Sequence, residues 1–426
     1  MIGEFFDALE TRSPEAREAT LMAALPAQVR AAQAVPALAQ VLAGVPPDAV
    51  NSRAALAQLP VTRKHELLEK QQAQRANDSN ALHDPFGGFS AIGWAALRTA
   101  RPARRVYQSP GPIYEPEGHG TDYWRTARAL FAAGMRSGDL VHNSFSYHLT
   151  PGAWIMEAGA HALGCTVFPG GVGNTELQLQ AMQDLRPDAY AGTPSFLRIV
   201  LEKAAETGVA LPSLKKALVS GEAFPPSLRD WLTERGVQAF QAYATADVGV
   251  IAFETAARHG LVVDEGVIVE IVRPGTGTPV PDGEVGEVVV TVLNPDYPLL
   301  RFGTGDLSAV LPGLCPTGRS NMRIKGWLGR ADQTAKVRGM FVHPGQVAEV
   351  LKRHPEIGRA RLVVEGEMAN DRMTLHVESS NGDEGLAAAV ARSMRDVTKL
   401  RSDVLIVAPG SLPNDGRVIE DARRYD

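Results

Sequence analysis

CTVFPGG (165–171), TELQLQAMQDLRP (175–187), DAYAGTP (188–194) and SFLRIVLEKAAETG (195–208) follow one another closely, and their alternation decides the fold. The short apolar runs bounded by Gly and Pro read as strands, and the longer stretches between them carry helical spacing. KALVSGEA (216–223), PPSLRDWLTERG (225–236) and VQAFQAYA (237–244) repeat the cycle. Strands separated by helices imply βαβ units and a parallel sheet covered on both faces. Such sheets bind ligands on the loops where their strands end. Those loops are PGGVGNTE, GTPS, SGEAF and YATADVG.

Outward from this centre the texture changes. Residues 1–80 read as helical, with Ala, Leu, Gln and Arg at amphipathic spacing broken by Pro. From about 262 to 312 the chain is Gly/Pro-punctuated and β-rich, which predicts a small antiparallel subdomain. After GWLGRADQTAKVRG (326–339) come a helix (PGQVAEVLKRHP), two alternating strands (ARLVVEGE and DRMTLHVES), a helix near 384–398 and a strand at DVLIVAP. The expected fold class is therefore α/β. A large N-terminal domain over 1–328, with mostly parallel sheets and a β-rich subdomain, precedes a small α+β domain over 329–426.

Bulk properties narrow the function. Hydrophobic residues make up 44% of the 426 positions, enough for a large core. The net charge of -5 is spread along the chain without a basic block, so no nucleic-acid partner is expected. Two cysteines make neither a disulfide framework nor a zinc knuckle. The acidic start MIGEFFDALETRS lacks a signal pattern, and no apolar run approaches the ~20 residues of a membrane helix. A cytoplasmic protein with no membrane partner is expected.

Taken in order, GNTE, TPS, SGEA, YATAD, LRFGTGDL and GRADQTAKVRGMFVHPGQVAEVL resemble the adenylate-forming superfamily, and within it the phenylacetate–CoA ligases. The resemblance runs from about residue 105 to the C-terminus. It implies an acid–CoA ligase that makes an acyl-AMP from ATP and a small carboxylate, rotates a mobile C-terminal domain, and passes the acyl group to CoA. It also implies Mg and a homodimer. Asp306 matches the aspartate that grips both ribose hydroxyls, a task suited to two acceptor oxygens, although an Asp beside Gly also suits a turn cap. Arg330 matches an arginine on ribose and phosphate, and otherwise reads as a solvated loop residue; Asp332 matches the hinge, expected near 329–332. Gly221, Glu222 and Ala223 match one wall of the adenine site, and Tyr243, Ala244 and Thr245 the other. Tyr243 is either a stacking face or a core residue at a strand end. Phe145, Tyr147 and His148, in VHNSFSYHLTPG, fall where an acyl pocket is expected, and their aromatic character suits either an aryl acid or ordinary core packing.

The phosphate-handling positions depart from the family. QSPGPIYEP (108–116), laid on the family loop SSGTTGKP, keeps Ser109, Gly111 and Pro116. Pro110 and Pro112 have no N–H to offer a phosphate, and Glu115 stands in place of the lysine. An ionised carboxylate about 4 Å from a phosphate charge costs about 4 kcal/mol at an effective dielectric near 20. The family's Thr-Glu pair is Ala246-Asp247, leaving Asp247 as the catalytic metal ligand, and the C-terminal lysine position is taken by Arg417. These departures keep two alternatives open beside the ligase: a non-adenylating adenosine- or CoA-binding protein, and an acyltransferase using a ready-made acyl donor.

Overall fold

The computed structural model describes residues 4–76, 84–99, 101–273, 276–328, 331, 335–338, 340–342, 344–366, 370–380, 384–413 and 417–423. The chain divides into two compact units. One comprises Met1–Gly221 and Leu232–Leu328, and the other Glu222–Trp231 and Gly329–Asp426. The sequence reading drew a single boundary after 328, whereas this division groups Glu222–Trp231 with the second unit.

After a short 3-10 turn at Ala8–Thr11, the first unit continues with the helix Pro14–Gln33, started by Pro14 and by Ser13, whose side chain accepts from the Ala16 N–H. Leu21, Leu25, Val29 and Ala32 recur at helical spacing and are buried in the core. The expected alternation then appears as a nine-stranded sheet. From one edge its order is Val310–Leu311, Arg323–Ile324, Leu261–Val263, Gly249–Glu254, Gln238–Thr245, Lys216–Val219, Ala189–Gly192, Leu140–Asn143 and Thr166–Pro169. The last five are mutually parallel. Every residue of Ala189–Gly192 is buried, as a strand covered on both faces requires. Helices Gly152–Leu163, Thr175–Leu185 and Pro194–Glu206 supply three of the four crossovers. Because the five strands run the same way, the loops that follow them open at one end of the sheet.

Most of the β-rich stretch forms the expected small antiparallel sheet, and its two ends join the large one. Leu261–Val263, Val310–Leu311 and Arg323–Ile324 extend the large sheet, while Val267–Val272, Gly286–Val292 and Phe302–Ser308 form a second, four-stranded sheet. Its fourth strand is Thr62–Arg63, parallel to Phe302–Gly303, in a region read from sequence as helical.

In the second unit a four-stranded sheet runs in the order Asp403–Val407, Arg372–Glu378, Ala360–Glu365, Ile419–Asp421. Leu362, Val364, Leu375 and Val377 from the sheet share one core with Val347, Val350, Val390 and Met394. Those four residues lie on the helices Pro344–Arg353 and Glu384–Thr398. The short Ile419–Asp421 strand was not anticipated from sequence.

Candidate active site

Asp306 lies near the end of the Phe302–Ser308 strand and is 8% exposed. One carboxylate oxygen accepts from the Tyr243 hydroxyl at 2.8 Å and the other from the indole N–H of Trp327 at 3.0 Å. The Tyr243 hydroxyl also meets Thr304 Oγ1 at 3.0 Å. Tyr243 itself sits in the Gln238–Thr245 strand, where the register with Gly249–Glu254 shifts between Tyr243 and Ala244. The irregularity is of the bulge type that re-aims side chains at sites. Asp306 is thus not a mere turn cap. Two aromatic donors from distant parts of the chain fix its rotamer, and two lone-pair sites on each oxygen suit it to vicinal hydroxyls.

The Pro-rich loop is the turn of a hairpin, with Arg105–Ser109 paired antiparallel to Ile113–Glu117. Gln71 clamps its outer strand, accepting from the Tyr114 N–H at 2.8 Å and donating to its carbonyl at 2.9 Å. Glu115 does not face open solution. It is fully buried and accepts a short hydrogen bond from the Ser109 hydroxyl. Burial, and after it the charge of Asp247, push the Glu115 carboxyl up to about 8. Asp247 is itself 4% exposed and takes Lys64 Nζ on Oδ2 at 2.8 Å. Lys64 Nζ lies 3.5 Å from Ser109 Oγ. Among the described residues Asp247 Oδ1, Glu115 Oε2 and the Tyr297 hydroxyl are buried with no hydrogen-bond partner. Burial, then the carboxylates of Asp247 and Glu115, hold the Tyr297 phenol well above its ordinary range. Asp247 and Tyr297 line a small cavity together with Trp124, Arg125 and Asn294. No group of three or more acidic, His or Cys side chains able to hold a metal occurs among the described residues. Asp247 Oδ1 nevertheless fits magnesium, which binds through one or two carboxylates plus substrate phosphates.

The remaining expectations fare unevenly. Ser109 is buried beside Glu115, and Gly111 occupies the hairpin turn. Gly221 adopts φ +85°, and Glu222 and Ala223 are half-buried. Ala244 is half-buried, and half-buried Thr245 accepts from the Val248 N–H through Oγ1 at 3.3 Å. The three acyl-pocket residues differ in their surroundings. Tyr147 donates to Glu157 at 2.8 Å and packs edge-on to Trp154, Phe145 packs against the core, and His148 is exposed. Neighbouring His142 is a wall residue, bonded to Gln178 at 2.8 Å and stacked on Phe168. Arg417 is exposed in the second unit. Arg330 and Asp332 lie outside the described residues. Sequence reading missed Trp327, Tyr297 and Lys64. Trp327 stands inside a quoted motif and could have been found there, whereas a lysine at the start of an amphipathic helix reads as a solvated charge.

A parallel sheet whose loop ends carry Tyr243 and Asp247, with Asp306 contributed by a neighbouring sheet, defines the class of AMP-binding enzymes. The sequence profile of that class, AMP-binding enzyme, matches residues 124–292, and that of the AMP-binding enzyme C-terminal domain matches residues 339–422. The phenylacetate–coenzyme A ligase of Thermus thermophilus is 31% identical over 87% of each chain. That of Aromatoleum evansii is 33% identical over 79% of this chain and 74% of its own. The chain belongs to the phenylacetate–coenzyme A ligase family. Its fold also matches 2-hydroxyisobutyryl-CoA ligase solved with 2-HIB-AMP and CoA, with a TM-score of 0.81, 25% identity, and coverage of 98% of this chain and 92% of that one. Among the described residues no helix is long and apolar enough to cross a membrane.

Proposed function

We propose that this protein is an acid–CoA ligase. The acid's carboxylate attacks the α-phosphorus of ATP and pyrophosphate leaves, giving an acyl-AMP. The CoA thiol, losing its proton, then attacks the acyl carbon and AMP leaves. Similarity to phenylacetate–coenzyme A ligases along most of the chain carries this reading. Asp306, oriented by Tyr243 and Trp327, holds the ribose hydroxyls. Gly221, Glu222, Ala223, Ala244 and Thr245 enclose adenine beside Tyr243. Asp247 holds magnesium arriving with the triphosphate, and the ion supplies neutralisation of phosphate charge. Arg417 and Arg330 add cationic contacts, and Asp332 lies at the hinge between the two half-reactions. The substrate class is a small carboxylic acid, with Phe145 and Tyr147 lending the region aromatic character. The work belongs in the cytoplasm, where ATP and CoA are available, and the functional particle is a homodimer.

The buried Glu115 and the two loop prolines favour a second reading, a protein that binds adenosine or CoA ligands without adenylating. Incubation with ATP, magnesium, CoA and a panel of aryl and alkyl acids separates the two. Mass spectrometry should find acyl-CoA and AMP in equal amounts for at least one acid. AMP binding with no thioester from any acid would establish the second reading.

A further inference from the structure

The loop that should carry phosphate-binding groups offers prolines at 110 and 112 and a carboxylate at 115, yet a cation stands close by on another element. Lys64 is the first residue of the helix Lys64–Ala76. It directly follows the Thr62–Arg63 strand, which is fixed by pairing to Phe302–Gly303 in the strand that also bears Asp306. Its backbone is therefore anchored to the ribose side of the site. Its Nζ reaches Asp247 Oδ2 at 2.8 Å and Ser109 Oγ at 3.5 Å, and its side chain is 37% exposed, so solvent-borne ligands can approach it.

We propose that Lys64 is a phosphate-binding residue of this enzyme, supplying from the helix start the positive charge that position 115 no longer carries. The proposal rests on the ligase reading for its ligand, the β- and γ-phosphates of ATP. A lysine ammonium is a compact point charge on a flexible stem, able to turn from a carboxylate to a phosphate within a few ångströms. Glu115 is fully buried and bonded to the Ser109 hydroxyl, whereas the Lys64 side chain remains open to an approaching phosphate. The competing explanation is that Lys64 merely neutralises a buried aspartate. That pairing alone would give Lys64 no preference among nucleotides.

Calorimetric titration of full-length wild type, Lys64→Met and Lys64→Arg with ATP plus magnesium, and separately with AMP, decides between them. Lys64→Met should weaken ATP at least tenfold and leave AMP within twofold. Lys64→Arg, which keeps the charge, should keep ATP within about threefold of wild type and melt like wild type. ATP affinity unchanged in Lys64→Met, or ATP and AMP weakened alike, overturns the proposal. So does a wild type that binds AMP but not ATP. Lys64-dependent ATP binding in a wild type that makes no acyl-CoA would uphold the assignment and sink the ligase reading instead.

Discussion

Asp306 shows how a single carboxylate is oriented by distant parts of the chain for the ribose role proposed above. Its two oxygens are held by Tyr243 and Trp327, which lie 63 and 21 positions away in sequence. Replacing it with Ala would remove an acceptor shared by the half-buried Tyr243 hydroxyl and Trp327 indole N–H, mixing a stability effect with a binding effect. Asp306→Asn avoids this, because the amide oxygen can accept from Trp327 and the amide nitrogen can donate to the Tyr243 oxygen. The variant should melt within about 2 °C of wild type and bind AMP roughly tenfold to a hundredfold more weakly, as expected for losing charge-assisted bonds of about 1.5–3 kcal/mol. Unaltered AMP affinity by calorimetry would remove Asp306 from the site. The motifs placed both Asp306 and Trp327 in the sequence, but not their pairing, because nothing local ties an indole at 327 to a carboxylate 21 positions away.

At the scale of elements, the loop hairpin turns on the charge state of Glu115. Alternation in Ile113–Glu117 puts Ile113 and Glu115 on the buried side, where a carboxylate conflicts with its surroundings. The folded carboxyl titrates near 8 instead of near 4.5. Because the folded value is raised, the associated stability is fully present below about pH 4.5 and declines as pH rises to about 8. Glu115→Gln, a permanent mimic of the neutral form, should therefore melt like wild type at pH 4.5. It should melt progressively higher than wild type up to about pH 8, by on the order of 3 °C, and hold that margin above it. A margin independent of pH, measured by scanning calorimetry across the range, would mean that Glu115 is ionised throughout. This element was half-legible. The departures from SSGTTGKP were plain in the sequence, yet the conclusion that Glu115 would repel phosphate assumed an exposed, charged side chain. Its burial against Asp247 is a tertiary fact that no local pattern encodes.

For the molecule as a whole, the alternation over 165–244 predicted the parallel half of the large sheet almost strand for strand, since apolar runs buried on both faces leave a strong signal. The two-residue strand Thr62–Arg63 left none, and it is the element that carries Lys64 toward the site. The β-rich stretch was legible as an antiparallel sheet, but the joining of its end strands to the large sheet was not, because strand propensity is local and the sheet a strand joins is set by long-range pairing. The same division holds for function. The ordered motifs place the chain among adenylate-forming ligases, while the grouping of Lys64, Asp247 and Glu115 is visible only in three dimensions. The central claim is that this altered site still activates a carboxylate. Its most direct test is exchange of labelled pyrophosphate into ATP by the wild-type protein without CoA, over a panel of aryl and alkyl acids with magnesium. Exchange that depends on at least one acid and is abolished by its omission is the predicted result. Absence of exchange with every acid, in protein that still binds AMP, would contradict the claim.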